Sequence, residues 1–324
     1  MIKPPRFWFE TPALMAHVLR PPAFVYEAIH RLRWAIATPF KSEIPIICVG
    51  NTGLGGAGKT PTALAIGRLL DDLTISFKYL TRGYGGHEQG PLLVNPLYHK
   101  AFQVGDEPLL LAKTHPTIMA KNRIKGLALI HKKNTQVIVM DDGYQNPSLG
   151  KNLHLLVIDG QRGFGNGLVF PAGPLREPLS MAFARASAII LIGDPSAQVK
   201  EALSDLTLPV FKATLTIQPP EGLANKVYAF AGIAFPDKFF QSLKTHGFNV
   251  IDTSSFPDHH AYDDVEYQNL QRKSRSLNAS LVTTQKDYVR LSATQKRFVT
   301  PIPVVLEWED EAVIKAFLKT KLSL

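Results

Sequence analysis

Residues 53–60 read GLGGAGKT and satisfy the phosphate-binding pattern G-x-x-x-x-G-K-[ST]. The apolar run EIPIICV precedes this turn and ALAIGRLL follows it, so it lies between a predicted strand and a predicted helix. Glycines let backbone N–H groups surround an oxyanion, and the helix N-terminus adds the positive end of its dipole. The predicted nucleoside triphosphate site consists of Gly53, Leu54, Gly55, Gly56, Ala57, Gly58, Lys59 and Thr60.

Two side chains of the turn and two acids further along predict a metal ion beside the phosphates. Lys59 would reach the β- and γ-phosphates, and the Thr60 hydroxyl would join a Mg²⁺ shell. The apolar run QVIVMDD ends in Asp141 and Asp142, at the sheet edge where α/β proteins bind ligands. Adjacent carboxylates repel each other unless a cation lies between them. We therefore favour Mg²⁺ binding over the alternative that these acids only cap the next turn.

Phosphate-binding turns of this kind occur in motor ATPases, in GTPase switches and in kinases. Guanine recognition uses [NT]-K-x-D, and the segment TTQKD places its lysine one position late. The sequence shows neither a repeat nor a ring-forming arginine insertion, which motor ATPases usually carry. A kinase needs a group that positions or deprotonates an acceptor hydroxyl, and cations around the moving phosphoryl group.

Four segments could supply those groups. VGDEP places Asp106 and Glu107 at the start of a predicted helix, a pattern more typical of helix capping when taken alone. FPDHHAYD carries two loop histidines, which are typically exposed. PAGPLREP presents Arg176 with Glu177, and TRGYGG presents Arg82. Spacing alone does not show whether these side chains converge.

Composition limits the class of protein and its partners. The 324 residues are 45% hydrophobic and 19% charged, which indicates a globular chain with a core. The formal charge of +9 favours anionic partners, but no nucleic-acid-reading motif is present, so we expect no nucleic acid. The single cysteine, Cys48, excludes a disulfide framework and fits a reducing compartment. We see no signal peptide and expect no membrane-spanning helix.

Apolar runs alternate with helical patterns from residue 43 onward. IPIICVG, TISFKYLT, QVIVMDD, LHLLVIDG and SAIILIGD are typical of strands buried on both faces. They predict an α/β fold of the P-loop NTPase type, a parallel sheet with helices on both faces, followed by a smaller C-terminal α/β domain. We predict an N-terminal region at residues 1–42, a core domain at 43–221, and a domain at 222–324 that contributes to the active site.

The N-terminal region contains a predicted amphipathic helix, AFVYEAIHRLRWAIA (residues 23–37), which starts after a Pro–Pro pair. Its apolar side chains share one face, with Arg31 and Arg33 at the flanks. Aromatic, basic and apolar residues together suit a helix that lies in a membrane surface. Taken alone, the helix is more often one that packs on its own domain.

Seven segments resemble, in this order, motifs of the tetraacyldisaccharide 4′-kinase family: VGNTGLGGAGKTP, RGYGG, VGDEP, DDGYQ, PAGPLRE, FPDHHAY and TQKDYV. The resemblance runs from about residue 43 to residue 292, and the N-terminal region also matches. It departs at Ala57, where the family commonly has threonine, but that position contributes a backbone N–H. The resemblance implies that the γ-phosphoryl group of ATP passes, with Mg²⁺, to the 4′-hydroxyl of a tetraacyl glucosamine disaccharide 1-phosphate in lipid A biosynthesis.

The resemblance also implies roles for individual residues. Asp106 and His259 would form a dyad in which the histidine orients the aspartate, and the aspartate accepts the sugar proton. Lys59 and Arg176 would supply cations at the transferring phosphoryl group or at the phosphate of the substrate. The implied metal ligands are Thr60, Asp141, Asp142 and Glu177.

A lipid acceptor implies a peripheral or monotopic enzyme at the cytoplasmic face of the inner membrane, and it shifts the interpretation of the N-terminal helix toward membrane contact. The sequence does not determine the oligomeric state, and we expect a monomer. Two other functions remain open. One is a P-loop kinase of a soluble acceptor, and the other is a membrane-attached nucleotide switch that transfers nothing.

Overall fold

The structure of the chain is a computed structural model that describes residues 5–9 and 14–322. Its α-helices are α1 (Leu14–Val18), α2 (Arg20–Ile36), α3 (Lys59–Asp72), α4 (Ala101–Val104), α5 (Asp106–Ala112), α6 (Arg123–Leu127), α7 (Leu179–Arg185), α8 (Ala197–Ser204), α9 (Pro236–Thr245), α10 (Asp264–Ser276), α11 (Gln285–Arg290) and α12 (Glu311–Leu322). Its strands are β1 (Ile46–Gly50), β2 (Phe77–Thr81), β3 (Leu92–Leu93), β4 (Thr117–Met119), β5 (Val137–Asp141), β6 (Leu153–Asp159), β7 (Ala188–Ile192), β8 (Val210–Ile217), β9 (Lys226–Ala231), β10 (Asn249–Ser255), β11 (Ser280–Thr284), β12 (Thr300–Ile302) and β13 (Val304–Trp308).

The larger sheet has nine strands within the described residues, in the order β13-β8-β7-β6-β1-β5-β2-β4-β3. β1 lies at its centre and pairs in parallel with β5 and β6. Alternate side chains of β1 enter two different cores: Ile47 and Val49 pack on the α3 side, and Ile46 and Cys48 pack on the opposite side. The seven inner strands are parallel and the edge strands β13 and β3 are antiparallel. A largely parallel sheet buried on both faces confirms the predicted α/β architecture.

The smaller sheet has four parallel strands within the described residues, in the order β10-β9-β11-β12. Phe239 and Leu243 of α9 cover one face of this sheet, and Tyr267 and Leu270 of α10 cover the other. The helical period of both segments places these apolar side chains on one stripe of each helix.

The end of the chain departs from the predicted domain at residues 222–324. β13 pairs antiparallel with β8 in the larger sheet, with Val304 opposite Ile217. In α12, Ile314 and Leu318 are buried in the same core as α3. The predicted end of the smaller domain at residue 324 is wrong. Sequence alone does not decide it, because a strand followed by an amphipathic helix can complete either sheet. The smaller domain is therefore an insertion between β8 and β13 of the larger one.

The helix α2 begins at Arg20, with the two prolines in its first turn, rather than after them as predicted. Ala23 and His30 face the core, whereas the apolar stripe faces outward, so that Phe24 is 73% exposed and Ile36 is 71% exposed. Across residues 5–9 and 14–322, none of the helices is both long enough and apolar enough to cross a bilayer.

Candidate active site

The phosphate-binding turn depends on glycines in left-handed conformations. Gly58 is the N-cap of α3 and has a φ of 86°. A Cβ atom at Gly58 would lie 2.6 Å from Cδ1 of Ile192. Gly55, nearer the tip, has a φ of 112°. Because glycine alone takes such angles without strain, these positions let α3 begin at Lys59 directly behind the turn.

Lys59 lies over the carboxyl ends of two neighbouring strands, β1 and β5. Its Nζ donates to Oδ1 of Asn51 at 3.1 Å and lies 3.7 Å from Oδ1 of Asp142. Asn51 directly follows β1, and Asp142 directly follows β5. Burial lowers the pKa of Lys59, and Asp142 opposes that effect. The lysine is thus positioned by one amide and one carboxylate at the root of the turn.

Thr60 and Asp141 form a buried polar pair beside the turn. The Thr60 hydroxyl donates to Oδ2 of Asp141 at 3.0 Å. The other oxygen, Oδ1 of Asp141, is buried and has no hydrogen-bond partner within residues 5–9 and 14–322. Burial and the adjacent Asp142 raise the pKa of Asp141 to about 7. A buried carboxylate with one orphaned oxygen and a hydroxyl neighbour is a donor set that suits Mg²⁺.

Arg176 and Glu177 occupy different environments although they are adjacent. The backbone N–H of Arg176 donates to Thr52 O at 2.7 Å, and its Nη1 donates to Oδ1 of Asp142 at 3.1 Å. Glu177 is fully buried on the other side of this segment. Its Oε1 accepts Gln145 Nε2 at 2.9 Å.

The second oxygen of Glu177 is also engaged. Oε2 accepts Nη2 of Arg185 and lies 3.3 Å from Nε2 of His30 in α2. Burial would raise the pKa of Glu177, but His30 and Arg185 outweigh it and hold the pKa low. Both oxygens of Glu177 are therefore engaged by neighbouring side chains, and this carboxylate joins α2 to the core. These contacts favour a structural role over that of a metal ligand, which stays a prediction.

Asp106 and His259 meet across the boundary between the two domains. Asp106 is the first residue of α5 in the larger domain and is 4% exposed. His259 comes from the loop between β10 and α10 of the smaller domain, and its Nδ1 lies 2.7 Å from Oδ2 of Asp106. Arg290 of α11 donates Nη2 to the same oxygen at 2.6 Å. Burial would raise the pKa of Asp106, but His259 and Arg290 hold it below its usual range.

A second ion pair lies beside this one. Glu107 accepts Nζ of Lys286, the residue one helical turn before Arg290 in α11. The neighbouring carboxylates of α5 thus each bind one cation of α11. Glu107 also contributes to the raised pKa of Asp141, so this acid of α5 is close enough to act electrostatically on the end of β5. Sequence reasoning did not assign roles to Lys286 and Arg290, because TTQKD was weighed as a guanine motif and TQKDYV served only as a family motif. Their i, i+4 spacing is the signal that could have revealed them.

Two further arginines lie near the acids of β5. Arg123 is buried, and its Nη2 donates to the backbone oxygen of Asp142 at 3.0 Å. Burial lowers the pKa of Arg123 to about 10, and the nearby Arg82 adds to that effect. Arg82, which was singled out in the sequence, is exposed on the loop after β2. Nothing in the segment KNRIKG pointed to Arg123, because its burial depends on tertiary packing.

Comparisons of the sequence with known proteins point to one enzyme family. The sequence profile described as tetraacyldisaccharide-1-P 4′-kinase matches residues 15–323. The tetraacyldisaccharide 4′-kinase of Rhodopseudomonas palustris (strain HaA2) is 42% identical, over 98% of this chain and 96% of the relative. That of a strain of Methylorubrum extorquens is 45% identical, over 97% of each chain.

A solved structure shows the same fold. The crystal structure of LpxK from Aquifex aeolicus in complex with ATP superposes with a TM-score of 0.78 and 27% identity, covering 95% of this chain and 100% of that one. The sequence matches and this superposition each cover nearly the whole chain. The chain belongs to the tetraacyldisaccharide 4′-kinase family.

Proposed function

We infer that this protein transfers the γ-phosphoryl group of ATP to the 4′-hydroxyl of a tetraacyl glucosamine disaccharide 1-phosphate, a step of lipid A biosynthesis. The observation that carries this function is the hydrogen bond between Asp106 and His259, in a chain that also contains the phosphate-binding turn and matches the family from residue 15 to residue 323. A triphosphate site and a proton acceptor at one cleft are what a kinase needs.

Residues 53–60 form the phosphate cradle. Backbone N–H groups of the turn bind the phosphate oxygens, and Lys59 reaches the β- and γ-phosphates. Arg176 stands beside Asp142 at the same cleft and offsets negative charge on the phosphoryl group as it moves. Fixed cations in a buried cleft act more strongly there than they would in water.

Thr60 and Asp141 would hold Mg²⁺, because the Thr60 hydroxyl bonds one oxygen of the buried Asp141 carboxylate and the other oxygen has no hydrogen-bond partner among the described residues. When bound, the ion supplies positive charge that neutralises the phosphate oxygens. Asp142 accepts a hydrogen bond from Arg176 and lies near Lys59, so it would orient these two cations rather than bind the ion directly. Glu177 is outside this set.

Asp106 accepts the proton of the acceptor hydroxyl. The sugar oxygen bonds to the γ-phosphorus while the bond from that phosphorus to the oxygen of the ADP leaving group breaks, and the proton passes to the carboxylate. His259 holds Asp106 by the hydrogen bond to Oδ2. Because the two residues come from different domains, the dyad is complete only when the domains are together, which limits wasteful ATP hydrolysis.

We propose that α2 lies on the cytoplasmic face of the inner membrane. Large apolar side chains along its outward stripe are more than half exposed, namely Phe24, Val25, Ile29, Leu32 and Ile36. His30 and Trp34 occupy the opposite side, where Trp34 stacks on Arg185 at 4.1 Å. An apolar face turned away from its own domain, with Arg31 and Arg33 beside it, suits an anionic bilayer surface. The enzyme would meet its lipid acceptor there.

The function is tested with ATP labelled in its γ-phosphate and the tetraacyl disaccharide 1-phosphate, followed by thin-layer separation. Labelled lipid product is expected, and Asp106→Ala and His259→Ala should each lose activity by about 10²–10⁴-fold while keeping ATP binding. The deacylated disaccharide serves as the soluble acceptor. Equal activity on it would indicate a soluble-substrate kinase, and hydrolysis without labelled product would indicate a nucleotide switch.

A further inference from the structure

Three hydrogen bonds converge on a single oxygen of Asp106. Oδ2 accepts Nδ1 of His259 at 2.7 Å, and it accepts Nε and Nη2 of Arg290 at 2.9 and 2.6 Å. The side chains of Arg290 and Asp106 are 4% and 5% exposed. Buried charge-assisted hydrogen bonds are among the strongest in proteins, so this oxygen is firmly held.

Arg290 is itself fixed by its neighbours. Its Nη1 donates to the backbone oxygen of Gly232 at 2.7 Å and to Oδ1 of Asp287 at 2.9 Å. Asp287 is fully buried and accepts the Gly232 N–H at 2.8 Å. The backbone N–H of His259 donates to the same Gly232 oxygen at 3.1 Å. One backbone unit therefore positions both groups that hold Asp106.

We propose that Arg290 is a positioning residue for phosphoryl transfer: with His259 it fixes Asp106 through Oδ2 and leaves Oδ1 to receive the proton of the acceptor hydroxyl. This rests on the proposed function, because it takes Asp106 as the proton acceptor. Arg290 exchanges no atom in the step. Its fork fixes the direction of the carboxylate, and small errors in that direction are costly for proton transfer.

The arginine also controls when Asp106 is ionised. Burial raises the pKa of this carboxyl, and His259 and Arg290 together outweigh burial and lower it. The charged groups around Asp106 are Glu107, Asp258, His259, Lys286 and Arg290. Without the guanidinium, burial and Glu107 still raise the pKa of Asp106, and only His259 and Lys286 remain to lower it. The pKa of Asp106 then rises, and the acid limb of the activity profile moves to higher pH.

The test compares Arg290→Gln with Arg290→Lys. Arg290→Gln should lower kcat by about 10–100-fold, leave the KM for ATP unchanged, and move the acid limb of kcat/KM up by about 1–3 pH units. Arg290→Lys keeps the charge but loses the fork, so its acid limb should stay at the wild-type pH while its kcat falls by about 10–100-fold. Lys238→Gln is the matched control, since it removes another cross-domain ion pair, with Asp159. Its profile should be that of the wild type.

Loss of Arg290 leaves Asp287 as a buried charge without its cation, which could prevent folding. The double variant Arg290→Gln/Asp287→Asn removes that charge as well, and it should show the same displaced acid limb. A folded variant whose acid limb stays at the wild-type pH overturns the proposal, even where kcat falls, because a structural role alone lowers kcat. Asp106→Ala separates the two ideas. If it retains activity the proposed dyad itself fails, whereas an inactive Asp106→Ala with an unmoved Arg290→Gln limb overturns only the role of Arg290.

Discussion

Asp141 and Asp142 are adjacent in the chain but differ in charge state. Burial and its neighbour raise the pKa of Asp141 to about 7. Burial acts on Asp142 in the same direction, but Lys59 and Arg176 outweigh it and hold its pKa far below the usual range. The sequence predicts one pair of equivalent carboxylates, but the two side chains have different roles. Asp142 fixes the basic residues of the cleft, and Asp141 keeps one oxygen without a partner.

Asp141→Asn should stabilise the protein in the absence of metal and nucleotide. The folded pKa of Asp141 lies above its unfolded value, so the wild type loses stability as the pH rises from about 4 through about 7. The amide removes that loss and should raise the melting temperature at pH 8 by at least about 2–4 °C. Thermal melts between pH 5.5 and pH 8, with and without MgATP, measure this, and MgATP should raise only the wild-type curve.

Asp142→Asn is the matched control for that prediction and should act with the opposite sign. It removes a carboxylate whose pKa is depressed by Lys59 and Arg176, so the stability at pH 8 should fall. If both amide variants were destabilised equally, the orphaned oxygen of Asp141 would not be a cation site.

Glu177→Gln should lower the free energy of unfolding by about 3–5 kcal/mol, because it leaves the partly buried Arg185 without its anion. The affinity for Mg²⁺ should not change. Denaturant titration measures the first quantity, and Mg²⁺ titration of the ATP-dependent melting shift measures the second. Glu27→Gln, which removes a partly exposed pair with Arg31, should cost about 0.3–0.5 kcal/mol. Loss of Mg²⁺ affinity in Glu177→Gln would return this residue to the metal site.

Replacing apolar residues on the outer face of α2 should weaken membrane binding without destabilising the fold. Phe24→Ser with Ile36→Ser removes two side chains that are 73% and 71% exposed. Each contributes about 1.5–3 kcal/mol when it enters lipid, so binding should fall by about two orders of magnitude or more. Co-sedimentation with vesicles containing anionic lipid measures this. Phe298→Ser, at 58% exposure in the smaller domain, is the control and should bind as the wild type does.

Gly58→Ala should abolish ATP binding. The added methyl would lie 2.6 Å from Cδ1 of Ile192, and the alanine residue would have to adopt a φ of 86°. Gly222→Ala is the matched control, because Gly222 has a similar φ of 77° but no atom within 4 Å of the position of a Cβ. It should cost about 1 kcal/mol of stability and leave nucleotide affinity intact. Isothermal titration with ATP distinguishes them, and equal affinities would show that the clash at Ile192 relaxes.

The fold and the phosphate-binding turn could be predicted because both depend on local sequence. Strands such as β1 and β5 are continuous apolar runs, and the glycines of residues 53–60 have a fixed spacing before Lys59. The family resemblance pointed to Asp106 and His259, which are 153 positions apart and which no spacing rule connects. The i, i+4 spacing of Lys286 and Arg290 places both on one helix face, but the partner of Arg290, Asp106, lies 184 positions away and could not be found from local sequence.

Glu177 shows why a role predicted from neighbouring residues in the sequence can differ from the one that tertiary contacts favour. An acid beside a phosphate-clamping arginine looks like a metal ligand in the sequence, but adjacent side chains can have different partners: Arg176 bonds Asp142, whereas Glu177 bonds Gln145 and Arg185. Which side chain reaches the cleft is decided by tertiary packing, here by Arg185 and His30. The end of the chain was misassigned for a similar reason, since the register of β13 against β8 is a contact between distant residues.

The return of the chain end to the larger sheet means that two strands connect the smaller domain to the larger one. β8 leaves that sheet at Ile217 and β13 rejoins it at Val304, and the N–H of Gln218 donates to Pro303 O at 2.9 Å between the two crossings. Two hydrogen-bonded strands allow fewer directions of rotation than a single strand would. We therefore expect any rotation of the smaller domain to follow one axis, so that closure would return His259 to the same carboxylate oxygen.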